Sequence, residues 1–254
     1  MPALISYEFP LNEKVRTWLR LEDMFDRVQL FTSRDTARDH EVALARLFEL
    51  LEAGSRADVK TDLLLELDRQ RQMLESLRDN PEVSGEVLEE AVLETQEAAK
   101  ALHGSHGKFG QHLRDNDWLM TIRSRFNIPG GTCPFDLPGL HHWLQQPSYV
   151  RQGQLQAWQE PLESVRRAMR SALRMLRDSG SDYEQVAVNG QFQQMPMARP
   201  AQMLRIRLDE NLSCVPELSA NKYALNIRFI SNEAGSRPVA HQHDVRFLIA
   251  YCNL

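Results

Sequence analysis

The sequence lacks most of the features that would mark a membrane span, a disulfide scaffold or a metal centre. No stretch approaches eighteen consecutive apolar residues, so no helix able to cross a bilayer is expected. The opening, MPALISYEFPLNEK, has neither a basic leader nor an apolar run and does not read as a secretory signal. Cysteine occurs three times in 254 residues, at Cys133, Cys214 and Cys252, with no CxxC pair. Widely spaced thiols, odd in number, fit a reducing cytoplasm better than a disulfide framework or a zinc site. A basic excess is lacking too. The 30 Lys+Arg against 35 Asp+Glu leave a formal charge of −5, which disfavours a coat for nucleic acid. What remains, 42% hydrophobic and 26% charged with 12 Gly and 12 Pro, is the composition of a globular chain and excludes disorder or a collagen-like fibre. The length suits one large domain or two smaller ones.

Catalytic motifs are equally scarce. Gly130-Gly131 is not followed by the Lys-Ser/Thr of a phosphate loop, and no GxGxxG or GxSxG is present. The adjacent His141 and His142 point in different directions on a helix. His241 and His243 share one face of an expected strand and could hold a metal, but no third ligand accompanies them. Cys133 with His141 is the one candidate nucleophile and base, and it is the basis of a small-molecule enzyme reading. No catalytic residue, metal or cofactor is therefore assigned, and the chain is read as a non-enzyme.

Periodicity is where the sequence is rich. Helical spacing dominates to about residue 180. Asn12 is an expected N-cap, followed by an apolar stripe of Val15, Trp18, Leu19, Phe25 and Val28. Further helices are expected over 41–51, stopping before Gly54; over 59–78, with Leu63, Leu67, Leu74 and Leu77 inward and an Arg71–Glu75 pair outside; and over 84–102. A Gly/His-rich loop at 103–110 leads to another helix that halts at Ile128-Pro129-Gly130-Gly131. Leu155, Trp158, Leu162, Val165, Met169, Ala172 and Leu176 form a seam alternating three and four, which suits packing within the chain or between copies. Pro161 inside it marks a first turn or a kink.

From Asp182 the period is two. Leu204, Ile206 and Leu208 alternate with Arg205 and Arg207; Tyr223, Leu225, Ile227 and Phe229 form a second alternating set; Val245, Phe247, Ile249 and Tyr251 a third. Asn189-Gly190 is a two-residue hairpin signal. These strands imply an antiparallel sheet with one face on a core. About seventy residues is short for two full sheets, and residues 3–9 offer an extra strand. The expectation is an α+β chain, with an N-terminal all-helical domain at 10–180 and a C-terminal antiparallel β domain at 181–254 that residues 3–9 can join.

Arginine placement is the other positive signal. Arg166, Arg170, Arg174 and Arg177 lie on one stripe; Arg16, Arg20 and Arg27 on another, interrupted by Asp23; and Arg205, Arg207, Arg228 and Arg246 sit opposite the apolar strand faces. Solvated outer faces account for such placement. So does a basic patch for an acidic peptide or for nucleic acid, because the guanidinium fork pairs acidic groups bidentately. The helix over 166–177 is the basis of the alternative reading, a nucleic-acid-binding regulator.

Four segments carry a resemblance: PLNEKVRTWLRLE at 10–22, TDLLLELDRQ at 61–70, IPGGTCPFDLPGLHHWL at 128–144 and NKYALNIRF at 221–229. In these the chain resembles the bacterial cell-division ZapD family, nearly from end to end. The resemblance implies a non-enzymatic, cytoplasmic homodimer at the midcell division ring. Such a dimer binds the C-terminal tail of the tubulin-like protein FtsZ and bundles its protofilaments, with no nucleic-acid or membrane partner. It also implies a helical domain followed by a β domain. By the same resemblance Arg20, Arg56, His141 and Arg228 stand where the family's FtsZ-contacting basic residues are expected, with Lys222 and Lys60 added by proximity. Asp117 and Ala224 occupy positions where relatives can carry a basic residue.

Overall fold

The first strand, β1 (Leu4–Pro10), gives way to α1 (Glu13–Thr32), whose start is set by Asn12. The Asn12 side-chain oxygen accepts from the Val15 amide at 2.8 Å, satisfying one of the helix's orphan donors. The computed structural model describes residues 3–56, 58–81, 83–105, 107–195, 201–221, 223–231, 237 and 239–253. The chain divides into a helical unit, 17–172, and a sheet unit, 1–16 with 173–254. Both divisions fall inside continuous helices.

Along its length α1 buries Val15, Trp18, Leu21, Phe25 and Val28, whereas Leu19, expected on that stripe, is only half-buried. The second helix, α2 (Ala37–Ser55), is longer than expected at both ends. Thr36 caps it, accepting from the Asp39 amide at 3.0 Å, and Gly54 lies inside it instead of ending it. The glycine is there for packing: a Cβ at Gly54 would stand 2.2 Å from the Phe109 ring. α3 (Val59–Ser76) and α4 (Gly85–Gly104) lie on the expected segments. Leu63 and Leu67 are buried, Leu74 and Leu77 half-buried, and Arg71 reaches Glu75 at 2.8 Å.

The helix expected after the Gly/His-rich loop is broken in two, α5 (Gln111–Arg114) and α6 (Asp117–Phe126). Asn116 interrupts it by capping the Leu119 amide at 3.0 Å. α7 (Pro138–Leu144) and α8 (Ser148–Gln159) follow. A 3₁₀ turn at Glu160–Leu162 contains Pro161 and leads into α9 (Glu163–Asp178), so the seam bends where the proline removes a donor. Leu155, Leu162, Val165, Met169, Ala172 and Leu176 of the seam are buried within this chain. Trp158 is half-buried beside Trp118 and Trp143, with ring centroids 5.6 and 6.1 Å away.

The helical unit also has a charged group in its interior. Arg151 is 5% exposed and makes no ion pair among the described residues. Its guanidinium donates to the carbonyls of Leu144 at 3.0 Å and Asp35 at 2.9 Å and to that of Gln146, while its Nε donates to His40 Nδ1 at 2.8 Å. His40 is fully buried and its Nε2 meets the Arg34 carbonyl at 2.7 Å, so the proton sits on Nε2.

The sheet unit corrects one expectation: its described residues form two small sheets, not one. One has the order β1, β4 (Met203–Asp209), β8 (Val245–Cys252), β2 (Asp182–Ala187). The other has β3 (Gln191–Gln194), β6 (Leu225–Ser231) and β5 (Cys214–Ala220), with β7 (Val239–Ala240) pairing β6. All pairings are antiparallel. β1 pairs β4 with Leu4 opposite Asp209 and Pro10 opposite Met203, so the expected strand from the N-terminal segment joins the first sheet. Asn189-Gly190 does turn, with φ of 49° and 69°, as a two-residue hairpin of the primed type requires. The strands it joins then part: β2 pairs β8 and β3 pairs β6, so the turn connects the two layers of a sandwich. Leu204, Ile206, Leu208, Leu225, Ile227, Phe229, Val245, Phe247 and Ile249 fill the space between them. Tyr223 is not part of that set. It is 66% exposed, because the Asn221 side chain accepts from the amides of Tyr223 and Ala224 and delays the strand to Leu225.

Candidate functional site

Two helical faces with the same spacing make a concavity in the helical unit. Thr17, Arg20, Leu21 and Met24 of α1 stand at i, i+3, i+4 and i+7, and so do Glu49, Glu52, Ala53 and Arg56 of α2. Arg56 stands one residue past the last turn of α2, its amide bonded to the Ala53 carbonyl at 3.3 Å. Together they enclose a groove of about 480 Å³ with an apolar floor, where Leu21 is fully buried and Met24 half-buried, and a charged rim. Next to it along α2 a hollow of about 130 Å³ lies against α6, lined by Phe48, Phe126 and Arg123 and again by Glu49 and Glu52.

The charges on this surface are unevenly committed. Glu49 is held by Arg46 at 2.7 Å, and Glu52 by Arg56 and, at 4.0 Å, by Arg123. Arg20 makes no ion pair among the described residues, while its neighbours on α1 do: Arg16 with Glu13 at 3.1 Å and Arg27 with Asp23 at 2.8 Å. Of the charged side chains lining the groove, Arg20 and Arg56 stand against Glu49 and Glu52, and Arg20, without an ion pair among the described residues, is available to an anion.

The structure thus brings Arg20 and Arg56 together on one groove. His141 is exposed on α7 and does not line the groove. Trp143 of that helix packs on His40, 6.4 Å away, near the start of α2. The groove uses residues nine to sixteen positions further on, roughly 14–24 Å along the axis at the α-helical rise. Lys60 donates to the Ser105 carbonyl at 2.6 Å. Arg228 belongs to the sheet unit, opposite Glu217 on β5 and Gln191 on β3. Lys222 lies outside the described residues. Arg46 and Arg123 were missed by sequence reasoning. For Arg46 a signal existed, the 46-49-53-56 stripe, but it was hidden by ending α2 at residue 51. For Arg123 no local signal existed, since only the packing of α6 on α2 places it.

The competing sites fare differently. Of the arginine stripe on α9, Arg166 pairs with Asp26 at 3.7 Å and Glu163 at 3.4 Å, Arg170 approaches Asp26 at 3.9 Å, and Arg177 holds Glu8 at 2.8 Å. The strand arginines are divided between the sheets, with Arg205, Arg207 and Arg246 on one and Arg228 on the other. Arg205 and Arg207 both meet Asp182. His241 and His243 lie in the loop after β7, not on a strand, with rings 5.7 Å apart. His241 Nδ1 is engaged by Ser231 at 2.9 Å. Among the described residues no group of three His, Cys, Asp or Glu is placed to hold a metal ion. Nor is any helix long and apolar enough to cross a membrane. Burial pushes the Cys214 and Cys252 thiols up, away from a reactive thiolate.

Comparison with known proteins settles what kind of chain presents this groove. The sequence model of the cell division protein ZapD matches residues 19–228. The chain is 50% identical over 250 residues to the cell division protein ZapD of Chromobacterium violaceum, covering 98% of this chain and 99% of that one.

The chain belongs to the ZapD family.

The cell division protein ZapD of Aromatoleum aromaticum is 48% identical over 251 residues, covering 99% and 98%; that of an Azoarcus species is 48% identical over 251 residues, covering 99% and 100%. The ZapD family is named for cell division, which gives this chain a role in that process. The α1/α2 groove falls almost entirely within the matched segment.

Proposed function

We propose that this protein is a non-enzymatic division factor that binds the C-terminal tail of FtsZ and, as a cytoplasmic homodimer at the midcell ring, cross-links FtsZ protofilaments. The observation that carries the reading is the α1/α2 groove: an apolar floor beneath a charged rim on which Arg20 has no ion pair among the described residues. A short peptide with acidic and apolar residues, as the family resemblance implies for the FtsZ tail, matches both parts of it. Arg20 and Arg56 receive its carboxylates, and Leu21 and Met24 take an apolar side chain. His141, Lys60, Arg228 and Lys222 are proposed as further contacts.

Exposed ion pairs are worth only about 0–1 kcal/mol each, so several must act together, and a single site stays weak. Weakness suits a cross-linker. A twofold dimer presents two identical sites, and once one holds a tail the second meets a lattice of tails at high effective concentration. The arginine stripe on α9 gives the nucleic-acid alternative little support, since Arg166, Arg170 and Arg177 already face carboxylates.

The test is co-sedimentation with GTP-polymerised FtsZ, with and without its C-terminal tail, beside the Arg20→Glu variant. Pelleting that needs the tail, and that Arg20→Glu weakens roughly tenfold with unchanged circular dichroism, is the expected result. Pelleting with tailless FtsZ would move the contact to the polymer body. Normal binding by Arg20→Glu would remove the groove from the reading.

A further inference from the structure

We infer that Glu52 is a built-in competitor for the acidic ligand, and that Arg123 is a further ligand contact exposed when Glu52 is displaced. The inference rests on the acidic-peptide reading of the groove. Glu52 and Glu49 both line the α1/α2 groove and the α2/α6 hollow, so the two concavities meet over one turn of α2. Their carboxylates are held differently. Both Glu49 oxygens accept from a single guanidinium nitrogen of Arg46 at 2.7 Å, and Arg46 lines neither concavity. Glu52 instead has an arginine on each oxygen: Arg56 of the groove on Oε1 and Arg123 of the hollow, at 4.0 Å, on Oε2. A carboxylate between two arginines that face two concavities occupies the place an incoming aspartate, glutamate or terminal carboxylate would take.

Nothing locks Glu52 there. Its side chain is 50% exposed and that of Arg56 75%, and ion pairs so wet are weak and exchange readily. An incoming carboxylate offers the same charge-assisted hydrogen bonds, so the exchange is nearly even while Glu52 swings to solvent on its own rotamers. The arginines are then available only for the fraction of time Glu52 is away, and apparent affinity falls by that fraction. Arg123, 32% exposed and a partner of Glu52 in the resting arrangement, is released with Arg56, and the peptide path extends across α2 into the hollow beside Phe126.

The test is fluorescence anisotropy at low salt with two labelled probes, the FtsZ C-terminal tail peptide and octaglutamate. The proteins are the full chain and the variants Glu52→Gln, Glu49→Gln and Glu52→Gln/Arg123→Gln. Glu52→Gln should tighten binding about two- to fivefold, as removal of a weak exposed competitor allows. Glu49→Gln deletes the same charge from the same walls but frees an arginine outside them, so it should gain less than half as much. The double variant should lose the gain, with a thermal melt matching that of Glu52→Gln. Equal gains from the two glutamines would mean that net charge acts and displacement does not. A double variant as tight as Glu52→Gln would remove Arg123. Either result overturns the inference while leaving the tail reading intact. Octaglutamate ranking the variants as expected while the tail peptide binds none of them would uphold the competitor and discard FtsZ. Binding of neither probe to any variant would overturn both.

Discussion

The two units solve the same problem, what to do with backbone polar groups near a core, in opposite ways. The sheet unit ties its strands in ladders around a core of aliphatic and aromatic side chains with Cys214 among them, and its arginines work at the margin of that core. Arg177 grips Glu8 through Nε at 2.8 Å and a terminal nitrogen at 2.9 Å, and Arg205 donates to the carbonyls of Arg177 and Gly180 where α9 ends. The helical unit joins its helices through tight corners, and helix C-termini and the corners after them leave carbonyls without intrahelical partners. Three of these, at Asp35, Leu144 and Gln146, converge on Arg151, which becomes a buried cation held by neutral acceptors and His40. A guanidinium suits that role because its five donors lie in a fixed plane. The difference teaches that a buried charge here marks where helices stop, not where chemistry happens.

Three substitutions test this contrast, in falling order of effect. Phe229→Ala removes a ring packed 5.2 Å from Phe247 in the dry core and should cost about 4 kcal/mol. Cys214 and Cys252 are buried in the sheet unit, so the denaturant midpoint for their labelling by a thiol reagent is the readout. Arg151→Met keeps the bulk but strands His40 Nδ1 and three carbonyls, and should cost about 3 kcal/mol. Its readout is tryptophan fluorescence, because Trp18, Trp118, Trp143 and Trp158 all belong to the helical unit. A loss below about 1 kcal/mol would mean that water satisfies the corner unaided and that the contrast is only apparent. The smallest effect is Thr36→Ala. The Thr36 hydroxyl, aided by Arg34, holds the Asp39 carboxyl below its ordinary value of 3.8. A depressed carboxylate contributes stability above its unfolded value and loses it as pH falls through the folded one. Removing Thr36 should therefore raise the Asp39 value in an NMR titration, and the gap in melting temperature between variant and parent should narrow on acidification from pH 7 to pH 3.

What could be read in advance divides along the same line. Stripes such as Val15-Trp18-Phe25-Val28 and Leu204-Ile206-Leu208 announce themselves because helix and strand periods are local, and the pairing of the N-terminal strand was within reach for the same reason. The sandwich was not. Whether the strands flanking Asn189-Gly190 pair with each other or part into two sheets depends on which distant strands compete for them, and the turn is the same either way. The Arg151–His40 node joins residues 111 positions apart through backbone carbonyls, which carry no sequence signature at all. At the groove, Arg20 and Arg56 were named through family likeness. Arg123 and the clamp on Glu52 follow only from helix packing.

The pairing of β1 with β4 has a consequence for how the protein is made. A ribosome adding roughly 5–20 residues per second needs on the order of 10–40 s to travel the ~200 residues between them. During that interval the Leu4–Pro10 segment has no partner strand, while the helical unit, 17–172, has already emerged. An unpaired strand carrying Leu4, Ile5 and Tyr7 is the kind of edge that nascent chains on neighbouring ribosomes of one message can share. Vectorial synthesis therefore leaves the sheet unit as the last part to close and the first point at which two growing copies can become entangled.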